Sequence, residues 1–447
     1  SFQQTDILGP DRHGLLLVVE DTAKQNFEWG IDVGDELAKR DEWGSDLWPP
    51  LLRSWSNELT EDEHRKVLCQ LSRGELYQEY ARLVADVLYT LVRNGGAPYA
   101  PGLLPKANGI AMTLWEHLDH DESSDKSSDW HNQAIVHPGG VLTQFWLGSL
   151  SLWRKAQDPK PDALYGEYLD ALSRIVQEKS LAGRLGRSVL GSQLPFLLAV
   201  DEKWTRENLL PLFMANDNIS DYQTVWDGFR YVSLNPPMAE LMKAPFLEAA
   251  SQIKSDIFDG PRRANFIEAY TLMLVYYVDD PIRDWIPAFF NNSDEEDQSH
   301  FASRIHELLR RMNEEKQQAL WKRWLKRYWQ NRLKGVPKPL NTGEIERMLN
   351  WLPYLENDVF PEAVALAVRM PKKPMQLGLS IHKINHSDLW RRYPEAVAKL
   401  LIHLGGYKSP SYSWYKGKEL IDKLIESDIP ESLKEKLKEL CATLGLG

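Results

Sequence analysis

The densest group of residues that could bind a metal ion lies around position 120. Its members are histidines and carboxylates: His117, Asp119, His120, Asp121, Glu122 and, further on, His131. His117 and His120 are three residues apart and would share a helix face, as zinc ligands on helices do. The group coincides, however, with a Ser- and Asp-rich stretch, and no second ligand pair with zinc-site spacing follows. We therefore favour a solvated helix end, and the sequence predicts no metal site.

A second acidic group, Asp279, Asp280 and Asp284, resembles the magnesium motif of terpene synthases, which are also all-helical. The spacing is DDxxxD where that motif has DDxxD, and Pro281 would break the helix that presents the carboxylates on one face. The stretch 216–220 resembles their second metal motif only faintly, because it lacks the closing Glu and comes first along the chain. The sequence therefore indicates a helix end at Asp279-Asp280 and a first-turn charge at Asp284.

Motifs for nucleophilic catalysis or nucleotide binding are missing from the sequence. It contains no GxSxG and no Walker loop, and Gly183-Arg184-Leu185-Gly186 lacks the third glycine and the preceding strand of a dinucleotide-binding loop. The two cysteines, Cys69 and Cys441, exclude a disulfide scaffold and are expected to be reduced thiols in a cytoplasmic protein. We predict no catalytic residue and no cofactor for this chain.

The strongest local charge lies between Arg304 and Lys338. This segment holds eleven basic and three acidic residues, a net charge of +8 in a chain whose net charge is −11. The candidate interaction residues are Lys322, Arg323, Lys326, Arg327 and Lys334. Basic residues mixed with Trp and Tyr are typical of nucleic-acid binding, but here the aromatic residues fall on the opposite helix face, where a core would take them. We favour a face that contacts an acidic protein partner, and a nucleic-acid-binding face remains the alternative.

The sharpest local signal is His137-Pro138-Gly139-Gly140. A residue before proline is biased out of the helical region, and the two glycines permit either a positive φ or the close approach of another backbone. The pattern therefore predicts a tight corner between helices. Free amides at the next helix start could bind an anion beside His137, or His137 could satisfy a neighbouring carbonyl in a packed corner. His137 is accordingly a further candidate interaction residue.

The elements that must position these residues are helices. Apolar residues recur at helical spacing, as at Leu76, Tyr80, Leu83 and Val87, and Thr60 with Glu63 forms a capping box. The pattern predicts an all-α fold of about twenty helices in an array of helical hairpins, for which a degenerate HEAT-like solenoid is one arrangement. No fixed repeat period survives at the residue level.

Domain boundaries are weakly marked. Two polar loops divide the chain into predicted helical subdomains at 1–124, 125–293 and 294–447. The longest strongly apolar run, Tyr270–Val278, has nine residues, too few to cross a membrane. The first 59 residues have a net charge of −7. We expect them to offer an acidic partner for the basic segment, within one chain or between two.

Four stretches together carry a family resemblance: 134–154, 194–213, 321–355 and 360–371. They resemble the helical C-terminal region, domain-of-unknown-function family 4020, of large bacterial proteins that often carry a sirtuin-like domain and occur among antiphage defence systems. The resemblance implies that a sirtuin-like domain breaks down NAD while the helical region senses, inhibits or assembles. It transfers no catalytic residue, because its motifs are structural. Since the chain begins with Ser1, the sequence leaves open whether such a domain precedes it or belongs to a partner.

These observations predict a non-enzymatic helical scaffold or sensor of a bacterial defence protein that binds a protein partner or a second copy of itself. The alternative is a nucleic-acid-binding module that uses the face 304–338. A third hypothesis, an enzyme of unrecognised type, would require a buried polar pocket containing His117 or His137.

Overall fold

The computed structural model describes residues 11–93, 97–118, 129–214, 219–255, 257–355, 358–372, 378–407, 414 and 417–445. Every regular element in these ranges is a helix, so the predicted all-α fold class is confirmed. None of the described helices is long and apolar enough to cross a membrane. The chain divides into two compact units, 1–233 and 234–447.

The helices of the first unit end with a π-helical turn, a 3-10 turn and one further α-helix. Their bounds are α1 Arg12–Gln25, α2 Phe27–Lys39, α3 Trp48–Trp55, α4 Glu61–Leu71, α5 Leu76–Val92, α6 Ala100–His117, α7 Trp130–Ala134, α8 Pro138–Lys155, α9 Glu167–Gln177, α10 Leu181–Ser192, α11 Leu194–Val200, α12 Glu202–Trp204, the π turn Thr205–Leu209, the 3-10 turn Leu210–Phe213 and α13 Ile219–Phe229.

The start of α4 shows how the sequence sets helix boundaries in this unit. The Thr60 hydroxyl accepts the Glu63 amide at 3.4 Å, and the Glu63 carboxylate accepts the Thr60 amide at 2.7 Å. Two amides that have no partner inside the helix are thereby satisfied. The capping box predicted from the sequence is confirmed.

Helix α10 packs against α7, α8, α9 and α13, and its residues Gly186 and Gly191 make close approaches to α8, α9 and α13. A Cβ atom at Gly191 would lie 2.6 Å from the Val225 carbonyl oxygen, and one at Gly228 would lie 1.9 Å from the Ser188 carbonyl oxygen. Only a residue without a side chain permits helix backbones to come this close. The glycines of α10 therefore serve helix packing, in agreement with the absence of a dinucleotide-binding loop.

The helices of the second unit include a π-helical turn and a 3-10 turn. Their bounds are α14 Pro236–Leu241, α15 Lys243–Ser251, α16 Gly260–Tyr276, α17 Trp285–Asn292, α18 Glu295–Arg311, α19 Glu314–Leu320, the π turn Trp321–Leu325, α20 Lys326–Leu333, α21 Thr342–Leu349, the 3-10 turn Leu352–Tyr354, α22 Val359–Ala367, α23 Gly378–Asn385, α24 Leu389–Arg392, α25 Pro394–Leu404, α26 Gly417–Glu426 and α27 Glu431–Leu444.

A chain of aromatic rings forms the core of the second unit. Tyr270 and Phe289 have ring centroids 5.5 Å apart, and Phe289 is 5.5 Å from Phe301. The next two ring contacts, from Phe301 to Tyr328 and from Tyr328 to Trp351, each have ring centroids 6.1 Å apart. All five side chains are fully buried. Such contacts add to the free energy of burial at favourable ring geometries, and they fix α20 against α16, α17 and α18.

The sequence predicts two domain boundaries, of which only the second lies within the described residues. The boundary near residue 124 lies outside the described residues. The boundary near residue 293 falls between α17 and α18, inside the second compact unit. The division into three subdomains and the solenoid arrangement stay predictions.

Candidate functional site

The five candidate cations of the basic segment lie on a continuous helical rod formed by α19, the π turn and α20, with Lys334 as its C-cap, whereas Arg304, Arg310 and Arg311 lie on α18. Its four aromatic side chains, Trp321, Trp324, Tyr328 and Trp329, are buried. The cations Lys322, Arg327 and Lys334 are exposed, whereas Arg323 and Lys326 are partly covered. The aromatic residues therefore face the core and the candidate cations lie at or near the surface, as the sequence pattern predicts; among the cations of the rod, Arg332 is buried. No aromatic ring of this segment is available for stacking on a base, which nucleic-acid binding by interleaved aromatics would need.

Three of the five candidate cations are engaged by residues of the second unit. The Arg323 guanidinium donates to the Val275 carbonyl. Lys326 donates to the Glu362 carboxylate at 2.7 Å, and Arg327 donates to Asp280 at 3.1 Å. Burial lowers the pKa of Arg323. These contacts tie the rod to α16, α22 and the turn after α16, so the three cations hold the structure in place.

Glu362 is a shared acceptor for this rod. One of its oxygens accepts Lys326, and the other accepts the Trp321 indole N–H at 2.8 Å. The hydrogen bonds from Lys326 and Trp321 lower the pKa of Glu362. The carboxylate therefore stays charged and fixes both a surface cation and a core ring.

A buried ion pair closes the end of the rod. The Arg332 guanidinium donates to both Glu344 carboxylate oxygens, at 2.7 and 2.6 Å, and both side chains are fully buried. The same carboxylate accepts the Tyr328 hydroxyl at 2.7 Å. Asn341 caps α21 by accepting the Glu344 amide at 2.8 Å, so the Glu344 side chain turns to Arg332 and leaves the capping to Asn341.

The charge of the segment is thus less available than its composition indicates. Six of its eleven cations are bonded through their side chains to residues of the second unit. Arg304, Lys326, Arg327 and Arg332 pair with carboxylates, and Arg323 and Lys338 donate to backbone carbonyls. The five exposed cations without a side-chain hydrogen bond or ion pair among the described residues are Arg310, Arg311, Lys316, Lys322 and Lys334. Of the candidate residues named from the sequence, only Lys322 and Lys334 belong to this second group. We call these two residues the basic face.

His137 is the N-cap of α8. Its backbone is extended, and its Nδ1 accepts the Gly139 amide at 3.0 Å. Neither Gly139 nor Gly140 has a positive φ; a Cβ at Gly140 would lie 2.0 Å from the Ala134 carbonyl oxygen. The sequence allowed either a positive φ or the close approach of another backbone at these glycines, and the structure shows the close approach. The corner is packed, as one of the two alternatives predicts, but the hydrogen bond found for the ring is with an amide and not with a carbonyl.

The imidazole of His137 is held in its neutral form. Burial is the main cause that lowers its pKa, and the nearby charge of Arg82 lowers it further. An unprotonated Nδ1 is what the cap requires, since a protonated ring nitrogen cannot accept. The ring and the Gly139 amide therefore satisfy one another, and that amide is not open to an anion.

The remaining sequence candidates are dispersed. Residues 119–128, which include most of the potential metal ligands near position 120, lie outside the described residues. His117 hydrogen-bonds through Nδ1 to the Thr113 carbonyl at 2.8 Å, and no group of three potential metal ligands occurs in the described part of the chain. Asp280 pairs with Arg327, and Asp284 is the N-cap of α17.

Sequence reasoning missed a polar cluster beside α10. His131 Nδ1 lies 3.3 Å from the Ser188 hydroxyl, at the edge of a pocket of about 370 Å³ whose lining includes neither His117 nor His137. Ser188 is completely buried, and the Asp129 carboxylate accepts a hydrogen bond from the Arg230 guanidinium at 2.7 Å. A substrate cannot reach this hydroxyl, so the cluster lacks the exposed nucleophile of a hydrolase triad.

Comparisons with known proteins concern mainly the second unit. Residues 272–406 match a family described as Domain of unknown function (DUF4020). The match includes the basic segment and every residue of the aromatic core except Tyr270, but not the stretches 134–154 and 194–213 of the resemblance. Curated protein sequences give no significant match. A crystal structure of an engineered protein is similar over 93% of this chain and 98% of its own, with 10% identity and a TM-score of 0.34, which supports no conclusion.

Proposed function

We propose that this chain is a non-enzymatic helical scaffold or regulatory region of a bacterial antiphage defence protein, and that it binds an acidic protein surface through the basic face. Any NAD-consuming activity then belongs to another domain or to a partner. The resemblance to domain-of-unknown-function family 4020 supports the defence context, and the match over 272–406 supports the family part of that resemblance.

The observation that carries the binding proposal is the contrast between the basic face and its neighbours. Lys322 and Lys334 are exposed and have no partner among the described residues, while Lys326 between them is held by Glu362. Twelve residues of helix separate the two lysines by about 18 Å. The helix beneath is fixed by buried aromatic rings, so little backbone entropy is lost when a partner binds.

The acidic N-terminal segment is a partner of suitable charge when it belongs to a second chain. Several of its acids are already paired, as Asp46 is with Arg12 and Asp35 with Arg73. Asp21 and Asp32 are exposed and have no side-chain partner in the described residues. Opposite charges on two rigid surfaces accelerate association and make it depend on salt.

The test reverses the two lysines of the basic face. Lys322→Glu/Lys334→Glu should fold normally and weaken self-association or partner binding about tenfold to thirtyfold at low salt, at roughly 1 kcal/mol for each reversed charge. Lys326 is left unchanged, because reversal would place two carboxylates together at Glu362. The matched control is Lys436→Glu/Lys438→Glu on α27, where both lysines are exposed. It changes the net charge equally and should bind as the parent does.

Sedimentation velocity at 50 and 300 mM salt measures the self-association. Mixing the reversed variant with an Asp21→Lys/Asp32→Lys chain should restore association if two copies bind head to tail. Equal weakening by the control variant would refute a localised basic face. If the basic-face variant instead loses tight, salt-dependent binding of DNA or RNA that the parent shows, the nucleic-acid alternative replaces this proposal.

A further inference from the structure

Four elements of the second unit bring a tyrosine and three basic side chains within electrostatic range of His306. Helix α18 contributes His306 and Arg310, α21 contributes Arg347, α23 contributes Lys383, and the 3-10 turn contributes Tyr354. The Lys383 Nζ atom lies 4.3 Å from the Tyr354 ring centroid, and the His306 and Tyr354 ring centroids are 5.3 Å apart. The cluster therefore joins residues up to 77 positions apart in sequence, and no local sequence pattern predicts it.

Two polar atoms in this cluster are buried without a partner. Neither the Tyr354 hydroxyl nor the His306 Nε2 atom has a hydrogen bond to the described residues, although both are shielded from solvent. Native proteins rarely leave such atoms unsatisfied, and an absent ion or water is a recurrent reason. Both groups can donate a hydrogen bond. The cluster thus contains two donors that need an acceptor.

The positive charge of the cluster also lacks a counter-charge among the described residues. The ring face of Tyr354 attracts the Lys383 ammonium. It does not, however, replace the oxygen acceptors with which the three N–H groups of an ammonium form hydrogen bonds. Glu307 is the acid that acts on His306, and it is already engaged by Arg304 at 2.6 Å. Arg310 and Arg347 are exposed and have no side-chain partner in the described ranges.

The pKa values of the cluster follow from this arrangement. Burial is the main cause that lowers the pKa of His306, and the charges of Lys383, Arg310 and Arg347 lower it further against the opposing effect of Glu307. Burial and Arg310 likewise lower the pKa of Lys383. Gathering cations without an anion costs free energy, which a bound anion would recover.

We infer that His306, Arg310, Arg347, Tyr354 and Lys383 form a binding site for a phosphate group, either inorganic phosphate or the phosphate of a small monoester. The flexible Lys383 side chain covers the tyrosine and would turn to the anion as it enters. Two arginines, one ammonium and two neutral donors exceed what a single carboxylate can satisfy and suit the several oxygens of a dianion. The site is separate from the basic face and independent of the proposed function.

Calorimetric titration with inorganic phosphate, and in a second arm with glycerol 3-phosphate, tests the site at constant ionic strength. Lys383→Met removes the charge and keeps the apolar stem, so it should weaken binding about tenfold or more. Tyr354→Phe removes only the unpartnered hydroxyl and should weaken binding about threefold while thermal stability stays unchanged. Lys436→Met, which removes a charge from an exposed lysine of α27, is the matched control and should bind as the parent does. Tighter binding of the monoester would identify a small phosphorylated molecule as the ligand, and tighter binding of phosphate would identify the free ion.

The imidazole signal of His306 provides a second measurement. His306→Gln identifies it among the 11 histidines in proton NMR spectra. Phosphate should raise the pKa of His306 towards the ordinary value of about 6.5, whereas sodium chloride at the same ionic strength should not. No heat and no shift at millimolar phosphate would overturn the inference. So would equal weakening by Lys436→Met, since the effect would then be general charge screening. If Lys383→Met does not fold, Tyr354→Phe and the NMR titration still decide.

Discussion

Replacing Glu344 by Gln should destabilise the second unit more than any comparable change at the surface. The substitution keeps the side-chain shape and removes the charge that faces Arg332. It also replaces one of the two carboxylate oxygens that accept the guanidinium by an NH₂ group, which cannot accept. The arginine then remains fully buried without its anion.

The magnitude follows from the burial of the pair. Both side chains have no solvent exposure, so water cannot replace the lost contact. Removing one partner of such a pair costs about 3–5 kcal/mol, mostly because it leaves a buried charge uncompensated. Arg332→Met combined with Glu344→Leu removes both charges and should cost less than the two single changes together by at least about 2 kcal/mol. Part of the cost persists, because Arg332 also donates to the Val336 and Lys338 carbonyls.

Urea denaturation followed by tryptophan fluorescence measures these free energies, and Trp329 and Trp351 report on the second unit. The control is Glu395→Gln, which removes the same charge from an ion pair of 2.7 Å with Lys399 whose side chains are about half exposed. Such a pair contributes about 0–1 kcal/mol. If Glu344→Gln costs no more than Glu395→Gln, or if the double variant is additive, the buried pair does not have the importance assigned to it here.

Two further predictions concern the first unit. Gly228→Ala should cost about 1–3 kcal/mol of unfolding free energy in a urea titration, because the new Cβ would overlap the Ser188 carbonyl. The control Gly109→Ala has open space around the new Cβ and should gain about 0.5–1 kcal/mol. Similar values for both variants would exclude close helix packing as the cause. His137→Ala should cost about 0.5–2 kcal/mol by loss of the cap, and His137→Asn should retain most of it. Because the folded pKa of His137 is lowered, its contribution is complete above its unfolded pKa of about 6.5 and is lost as the pH falls through the folded value. Melting curves between pH 8 and 5 should therefore lose part of their pH dependence in His137→Asn, and an unchanged dependence would count against a neutral capping imidazole.

Local features of the fold could be predicted from the sequence because their causes are local. The capping box at Thr60 and the start of α8 after His137 depend on residues within one helical turn. The burial of Trp321 and Trp324 follows from helical periodicity alone. Each of these needs only the geometry of a helix, which the sequence specifies directly.

Contacts between distant residues could not be predicted in this way. Gly228 gives no sign in the sequence that Ser188 will lie against it. The Ser188 hydroxyl meets His131, although 57 residues separate them. The same holds for Tyr354 and Lys383, whose approach depends on how α23 packs beside the 3-10 turn. Such contacts are set by tertiary packing, for which one sequence offers no periodic signal.

The basic segment shows why composition alone misplaces an interaction site. Arg332 and Lys322 contribute equally to its net charge, yet one is buried against Glu344 and the other is exposed without a partner among the described residues. Neutralising Arg332 must therefore lower stability, because the remaining carboxylate loses its partner inside the core. Neutralising Lys322 must leave stability nearly unchanged and can alter only what approaches from solvent. A charge that does not contribute to the stability of the fold is free to change so that it fits a partner. Lys322 and Lys334 have this property, and the six cations that are bonded to other residues of the second unit do not.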